Sequence, residues 1–188
     1  MSRLRRRTTA EMTDAQRDLF SRMAEGRGAV TDGQIGGPFD AWLLSPATGL
    51  RLFQLGGALR FKPCIDRRYV ELAILVTGQL WKAQYEWYAH EPMARAAGLP
   101  EDVIAAVKAG QEPVFTDRGD EAAYRFCRML HDQRRVDDVT YSSTAEVFGE
   151  DGVQELINAC GLYTLVSMTL NTFEVDLPDG VEAPFASD

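Results

Sequence analysis

Apolar residues recur at three- and four-residue steps along most of this chain, the spacing that lines one face of an α-helix. Residues 11–27 predict a first helix, with Thr13 as N-cap, Leu19, Phe20 and Met23 as its apolar face, and Gly26 and Gly28 as its end. Residues 31–40 are rich in Gly, Pro and Asp and predict a loop, in which Gly36-Gly37 suits either a plain turn or the wall of a ligand pocket. A short apolar segment (Phe39, Trp42, Leu43, Leu44) stops at Ser45-Pro46, a fitting cap and first-turn proline for a helix reaching about Leu59. Leu50, Leu52, Phe53, Leu55 and Leu59 are expected to face inward on it. Arg60 to Cys64 breaks the pattern, and Asp66 is the N-cap expected for the helix that begins at Arg67.

The stretch from Arg67 to Leu99 predicts two helices, the first interrupted near Gly78 and the second running from about Leu80 to Ala97, with Gly98 ending it. Pro92 is expected to kink or split the second just after His90. A short helix after Pro100 turns Val103, Ile104 and Val107 inward and stops at Gly110. Residues 111–120 form a loop, and residues 120–135 an amphipathic helix carrying Ala123, Phe126, Cys127 and Leu130. Val139 to Phe148 is another helix, ending at Gly149. Val153 to Phe173 is apolar nearly all round, as befits a central or subunit-contacting helix. No segment alternates as a half-buried strand does, so the fold class is all-α. The expected organisation is a flexible basic tail over residues 1–10, one helical domain over 11–176 with its motif core at 60–110, and an extended arm over 177–188.

Composition narrows the function more than the fold. The net charge of −8 disfavours broad binding to nucleic acid or to an anionic membrane, while leaving room for an anionic small molecule held by local arginines. No apolar run has the length of a membrane span, and no apolar segment follows the basic N-terminus, so a cytoplasmic protein is expected. Cys64, Cys127 and Cys160 are odd in number and far apart in sequence, and they show neither a disulfide framework nor zinc spacing.

Glu86 and His90, four residues apart, fall side by side on one helix face. Glu71 lies among Val70, Leu72, Ala73, Ile74, Leu75 and Val76, where an unpaired carboxylate would be costly to bury. If Glu71 folds back onto the Glu86–His90 face, the three form an acid/base cluster with apolar walls. The plainer reading is a surface ion pair worth a few tenths of a kcal/mol. Two carboxylates and one histidine could also hold a metal, but no second histidine is near in sequence, so no metal is expected. Arg68, with Arg67 or Arg95 as alternatives, is a candidate for a substrate carboxylate, and Trp81 and Tyr85 are candidates for a wall against a flat or cyclic substrate. His131, in a charged segment, is expected to be solvated.

These residues resemble a motif of the carboxymuconolactone decarboxylase/AhpD-like family: an R-x-x-E-L-A helix, a motif helix ending in histidine, then A-x-x-A-G-L. Here the motif reads Arg68, Glu71-Leu72-Ala73, Glu86, His90, Ala94 and Ala97-Gly98-Leu99. In the peroxidases of this group the glutamate and histidine relay protons to a C-x-x-C pair. Aligned on Glu71 and His90, the two thiol positions fall on Ala83 and Glu86. The resemblance therefore implies an AhpD-like helical bundle that lacks that pair, with cofactor-independent, carboxy-lyase-like chemistry on a small carboxylated lactone or oxo acid. It implies Glu71, Glu86 and His90 as the catalytic groups, no cofactor, and a homo-oligomer, trimer or hexamer. A small-molecule binding protein without catalysis is the alternative, followed by an alkylhydroperoxidase-like antioxidant protein working through Cys64 or Cys160.

Overall fold

Ten consecutive residues, Val70 to Gln79, are buried along one helix, and the other long helices are arranged around it. The computed structural model describes residues 2–5, 7–25 and 30–186. In chain order they form a short 3₁₀ turn (Thr9–Glu11) and eight α-helices: α1 (Asp14–Ala24), α2 (Phe39–Trp42), α3 (Pro46–Phe61), α4 (Arg67–Leu80), α5 (Gln84–Ala96), α6 (Glu101–Lys108), α7 (Arg118–Gln133) and α8 (Asp138–Thr172). Among the described residues there is no strand, only an isolated bridge between Thr31 and Gln34. The fold is an all-α, single-domain bundle in which α4 packs against α5, α6, α7 and α8.

Local chemistry explains most of the boundaries. Thr13 caps α1 by accepting from the Gln16 N–H, Asp66 caps α4 from Arg68, and Asp117 caps α7 from Gly119 and Asp120. Gly98 and Gly110 take positive φ just past α5 and α6, and Gly149 (φ 69°) breaks α8 into two helical segments where the sequence predicts an end. Gly26 and Gly28, the expected terminators of α1, lie outside the described residues.

Several expectations change. Gly78 does not interrupt α4; it is buried within it and faces Glu86, whose Cγ would sit 3.6 Å from a Cβ there, an ordinary contact. Pro92 sits inside an unbroken α5, which is held on both sides of the proline by the buried Trp87, His90 and Ala94. Of the residues expected inside on α3 only Leu59 is fully buried; Leu50, Leu52 and Phe53 are half-buried and Leu55 is exposed. The basic N-terminal segment is docked rather than free. The Arg3 N–H donates to the Phe173 carbonyl at 2.8 Å, Ser2 N donates to Asp176, and Arg5 pairs with Glu11. Met1 and Arg6 lie outside the described residues. The C-terminal arm is anchored too. Phe185 meets the Trp87 ring edge-on at 5.3 Å, and the Gln84 amide grips its backbone, accepting from N–H and donating to C=O at 2.9 Å each.

Candidate functional site

Where α4 lies against α5, the first two turns of each helix bring together Glu71, Glu86 and His90. All three are nearly removed from water, at 1%, 3% and 7% exposure. His90 Nδ1 is 2.8 Å from Glu71 Oε2, and His90 Nε2 is 3.2 Å from Glu86 Oε1. Arg67, one turn before Glu71, donates through Nε and Nη2 to Glu71 Oε1, both at 3.2 Å. The result is a continuous ionic line, Arg67–Glu71–His90–Glu86. Its last link is close but misaligned, so Glu86 Oε1 has no hydrogen-bond partner in a fully buried position.

The electrostatics of this line favour shared protons. Burial pushes the Glu86 carboxyl up, His90 pulls it down and the nearby Glu71 pushes it up again, with a net rise to about 6. Burial pulls the His90 imidazolium down, but Glu86 and the hydrogen bond and charge of Glu71 outweigh that, so the ring holds its proton above its ordinary range. The two carboxylates thus flank a ring that is most stable when charged.

Two groups that sequence reasoning did not select complete the surroundings. Tyr163 of α8 meets the His90 ring edge-on, centroids 5.0 Å apart, and its phenol is pushed up by burial and by the charges of Glu86 and Glu71. Arg60, in the last turn of α3, is close enough to lower both Glu86 and His90, and its Nε is buried without a partner. A lone arginine between Leu59 and Phe61, and a tyrosine inside the apolar stretch of α8, were the available signals.

The proposed substrate contacts are not brought to this cluster. Arg68 turns the other way, onto Asp117 and Asp120 at 3.1 Å each. Trp81 closes the opposite end of α4, where its carbonyl accepts from Asn171. Tyr85 packs against Gly37 and lines a separate cavity of about 660 Å³ together with the N-terminal segment and the arm, which makes Gly36-Gly37 a pocket wall, though not of this site. Arg95 is engaged at the surface by Glu91 and Glu101. Arg67 alone of these arginines joins the line, and it also edges an open pocket of about 340 Å³ bounded by Ala89, Pro92, Met93 and Ala97. His131 is not solvated either; it is half-buried, with Nε2 2.9 Å from Thr77 Oγ1. Among the described residues no group of three or more His, Cys, Asp or Glu side chains has the arrangement to hold a metal ion.

No protein-family model matches the sequence, and no curated protein does. Solved structures do match in shape. An uncharacterized peroxidase-related protein from Ralstonia eutropha JMP134, with an alkylhydroperoxidase AhpD core, superposes with a TM-score of 0.75 at 16% identity, over 95% of this chain and 93% of its own. A protein of unknown function from Agrobacterium tumefaciens, described as a candidate antioxidant-defence protein AhpD, gives 0.63 at 17% identity, over 74% of this chain and 94% of its own. Identities this low speak to shape alone, and the shape is clear: the chain has the AhpD-like all-α fold, and among the described residues no helix is long and apolar enough to cross a membrane.

Proposed function

We propose that this protein uses its AhpD-like fold to hold a small anionic molecule beside a buried proton-exchange site, with Glu86 as the group that meets the ligand. The observation carrying this reading is the ionic line from Arg67 through Glu71 and His90, which ends on a buried carboxyl oxygen without a hydrogen-bond partner. A carboxyl pushed up to about 6 gives and takes protons near neutral pH, which is what general acid/base work requires. Arg67 edges the open pocket beside the cluster, and Arg60 lies near enough to Glu86 to favour its charged form.

The finer reading is a carboxy-lyase-like reaction on a small carboxylated lactone or oxo acid. The electron pair of the C–CO2 bond would pass into the adjoining unsaturated system, and the proton of Glu86 would replace the departing CO2 on carbon. His90 then returns a proton to Glu86, with Glu71 and Arg67 holding the ring in place. Such a sequence needs no cofactor. Self-association fits this reading as well: Ile157, Leu165 and Met168 form an exposed apolar stripe along α8, available to a second copy.

A second reading, binding without turnover, is favoured by one feature. Both imidazole nitrogens are already engaged by the protein's own carboxylates, as in a structural lock. One experiment separates the two. A panel of small carboxylated lactones and oxo acids is tested for thermal stabilisation and for CO2 release, using the natural protein, Glu86→Gln and His90→Ala. Turnover lost in both variants, with ligand still stabilising Glu86→Gln, supports the lyase. Stabilisation without CO2 release supports binding alone. If no anion stabilises the protein, or if Glu86→Gln binds and turns over as before, the site has been misassigned.

A further inference from the structure

Tyr85 precedes Glu86 by one residue, about 100° around α5, and its ring lines the cavity of about 660 Å³ instead of the proton-exchange site. Three segments distant in sequence make the other walls: the N-terminal segment, the loop around Gly36-Gly37 and the arm from Val175 to Val181. Hydrogen bonds fix each wall to the next. Thr9 donates through its N–H and its hydroxyl to Asp32 Oδ1, at 3.1 and 2.7 Å, which joins the N-terminal segment to the loop. Ser2 N donates to Asp176 at 3.0 Å, which joins the same segment to the arm. Asp40 accepts from the Ile35 and Gly36 N–H groups at 2.7 and 3.1 Å, so the loop has a set shape. Gly37, at φ 57°, lies so close to Tyr85 that a Cβ there would come within 2.8 Å of the ring.

The volume falls within the range of about 300–1,000 Å³ typical of ligand pockets, and the lining is mixed as theirs is. Met12, Leu43, Val175 and Leu177 offer apolar surface beside the Tyr85 ring. The charges on the walls are mostly engaged. Arg5 pairs with Glu11, Asp40 holds the loop amides, and Asp176 holds Ser2. Asp179 is exposed, in the turn that the Val181 N–H closes onto the Pro178 carbonyl. Arg7 is different. It is half-buried on the wall, and among the described residues no carboxylate pairs with it, whereas Arg3 and Arg5 of the same segment each have one. A guanidinium is a planar fork that matches a carboxylate in two parallel hydrogen bonds. An apolar chamber with an aromatic wall and one unmatched guanidinium suits a flat apolar body carrying a single carboxylate.

We infer that this cavity is a second ligand site, which takes an aromatic monocarboxylate with its carboxylate on Arg7 and its ring against Tyr85. A molecule bound there touches the N-terminal segment, the loop and the arm together, so it holds both ends of the chain in their docked positions. Size separates the two sites. A small lactone or oxo acid would leave most of this volume to water, while a fused-ring acid covers the apolar wall and still reaches the arginine. The inference also gives a use to three sequence features that the proton-exchange site leaves idle: the basic N-terminal segment, the Gly36-Gly37 pair and Tyr85. It is independent of the proposed lyase, which could fail with this inference intact.

The test titrates the natural full chain with 2-naphthoate in a calorimeter, with 2-naphthamide as the uncharged counterpart. The acid should bind at least about tenfold more tightly than the amide, the scale of one charge-assisted contact. Arg7→Gln should remove that advantage, and Leu177→Trp, which fills the cavity, should weaken both ligands. On the natural protein, 2-naphthoate should slow amide hydrogen exchange within residues 2–9 and 175–181, a readout that needs no substitution. No binding, equal binding of acid and amide, or protection confined to other segments would overturn the inference. So would a loss of affinity in Arg67→Ala with none in Arg7→Gln, because the acid would then occupy the pocket bounded by Ala89 and Met93.

Discussion

Arg67 and Arg68 are neighbours in sequence and serve two different clusters. A step of one residue turns an α-helix by about 100°, so consecutive side chains at the start of α4 leave in divergent directions. Arg67 follows the face toward α5 and meets Glu71, which holds His90. Arg68 follows the face toward α7, where it meets Asp117 and the buried Asp120, with its guanidinium over the Tyr69 ring at 5.0 Å. In the second cluster Asp117 also caps α7 through the Gly119 and Asp120 N–H groups, so the whole assembly ties two helix N-termini together. The first cluster caps nothing. It holds two acids and a histidine in the interior and ends on an unpartnered oxygen. Both clusters leave buried polar atoms without a hydrogen-bond partner, Glu86 Oε1 in the first and Arg68 Nε with Asp120 Oδ1 in the second; what separates them is the ring, since only the first sets a proton-carrying histidine between two acids.

The sharpest way to break this contrast is to remove the centre of the first cluster. Glu71→Ala leaves His90 Nδ1 and the Arg67 guanidinium without their acceptor, and losing one partner of a buried ionic pair costs about 3–5 kcal/mol. Urea unfolding should show that loss, and a change under about 1 kcal/mol would mean that water enters the cluster freely. Arg68→Ala comes next, at about 2–3 kcal/mol, because Asp120 is left buried while part of the arginine's own side chain was already in water. If the division of labour is right, Arg68→Ala destabilises without altering the affinity of whatever anion stabilises the natural protein.

Stability against pH sharpens the same contrast. The Glu86 carboxyl is raised from 4.5 to about 6 in the folded protein, so over that interval the folded state binds the extra proton. Stability from this group is therefore highest at low pH and falls as pH rises from about 4.5 through 6, by about 2 kcal/mol from Glu86 alone. His90 is also raised; its contribution is complete below its ordinary 6.5 and is lost as pH rises through the folded value. Asp120, raised to about 6 chiefly by burial and opposed by Arg68, runs in the same direction in the other cluster. Urea titrations of Glu86→Gln and Asp120→Asn across this range separate them, and each should flatten the curve. Glu86→Gln should flatten it more, because His90 loses a charged neighbour with it. A flat curve for the natural protein would contradict the raised carboxyls.

How much of this was legible in the sequence depends on how local each signal is. Thr13, Asp66, Gly98 and Gly110 act within one turn of their own helix, and their positions could be read directly. The convergence of Glu71 with Glu86 and His90 was readable because a carboxylate inside an apolar run needs a partner. Arg68, Trp81 and Tyr85 went astray for a different reason. Being near the cluster in sequence says nothing about helix face, and one residue's rotation sent Arg68 to α7 while Arg67 stayed. Pro92 and Gly78 were read by propensity, which yields once a helix is gripped by neighbours along its length. His131 and Thr77 meet from α7 and α4, and no spacing rule reports which residues of two separate helices will face each other. Arg60 and Tyr163 reach the site from α3 and α8 and were hidden for the same reason.

The smallest effect tests the most specific part of the comparison. Arg67 is 42% exposed and its buried partner Glu71 keeps His90 as a second partner, so Arg67→Ala should cost about 1 kcal/mol and move a urea midpoint less than Arg68→Ala does. Its charge nevertheless stands where the ionic line meets the pocket bounded by Ala89, Pro92, Met93 and Ala97. An anion that stabilises the natural protein should therefore bind Arg67→Ala roughly tenfold more weakly, the scale of one lost charge-assisted contact, and Arg67→Lys should recover part of that. Arg68→Ala has the opposite profile, large on stability and silent on binding. Finding both effects on the same arginine would mean that the two faces of α4 are not separate after all, and that the second cluster reaches the ligand as well.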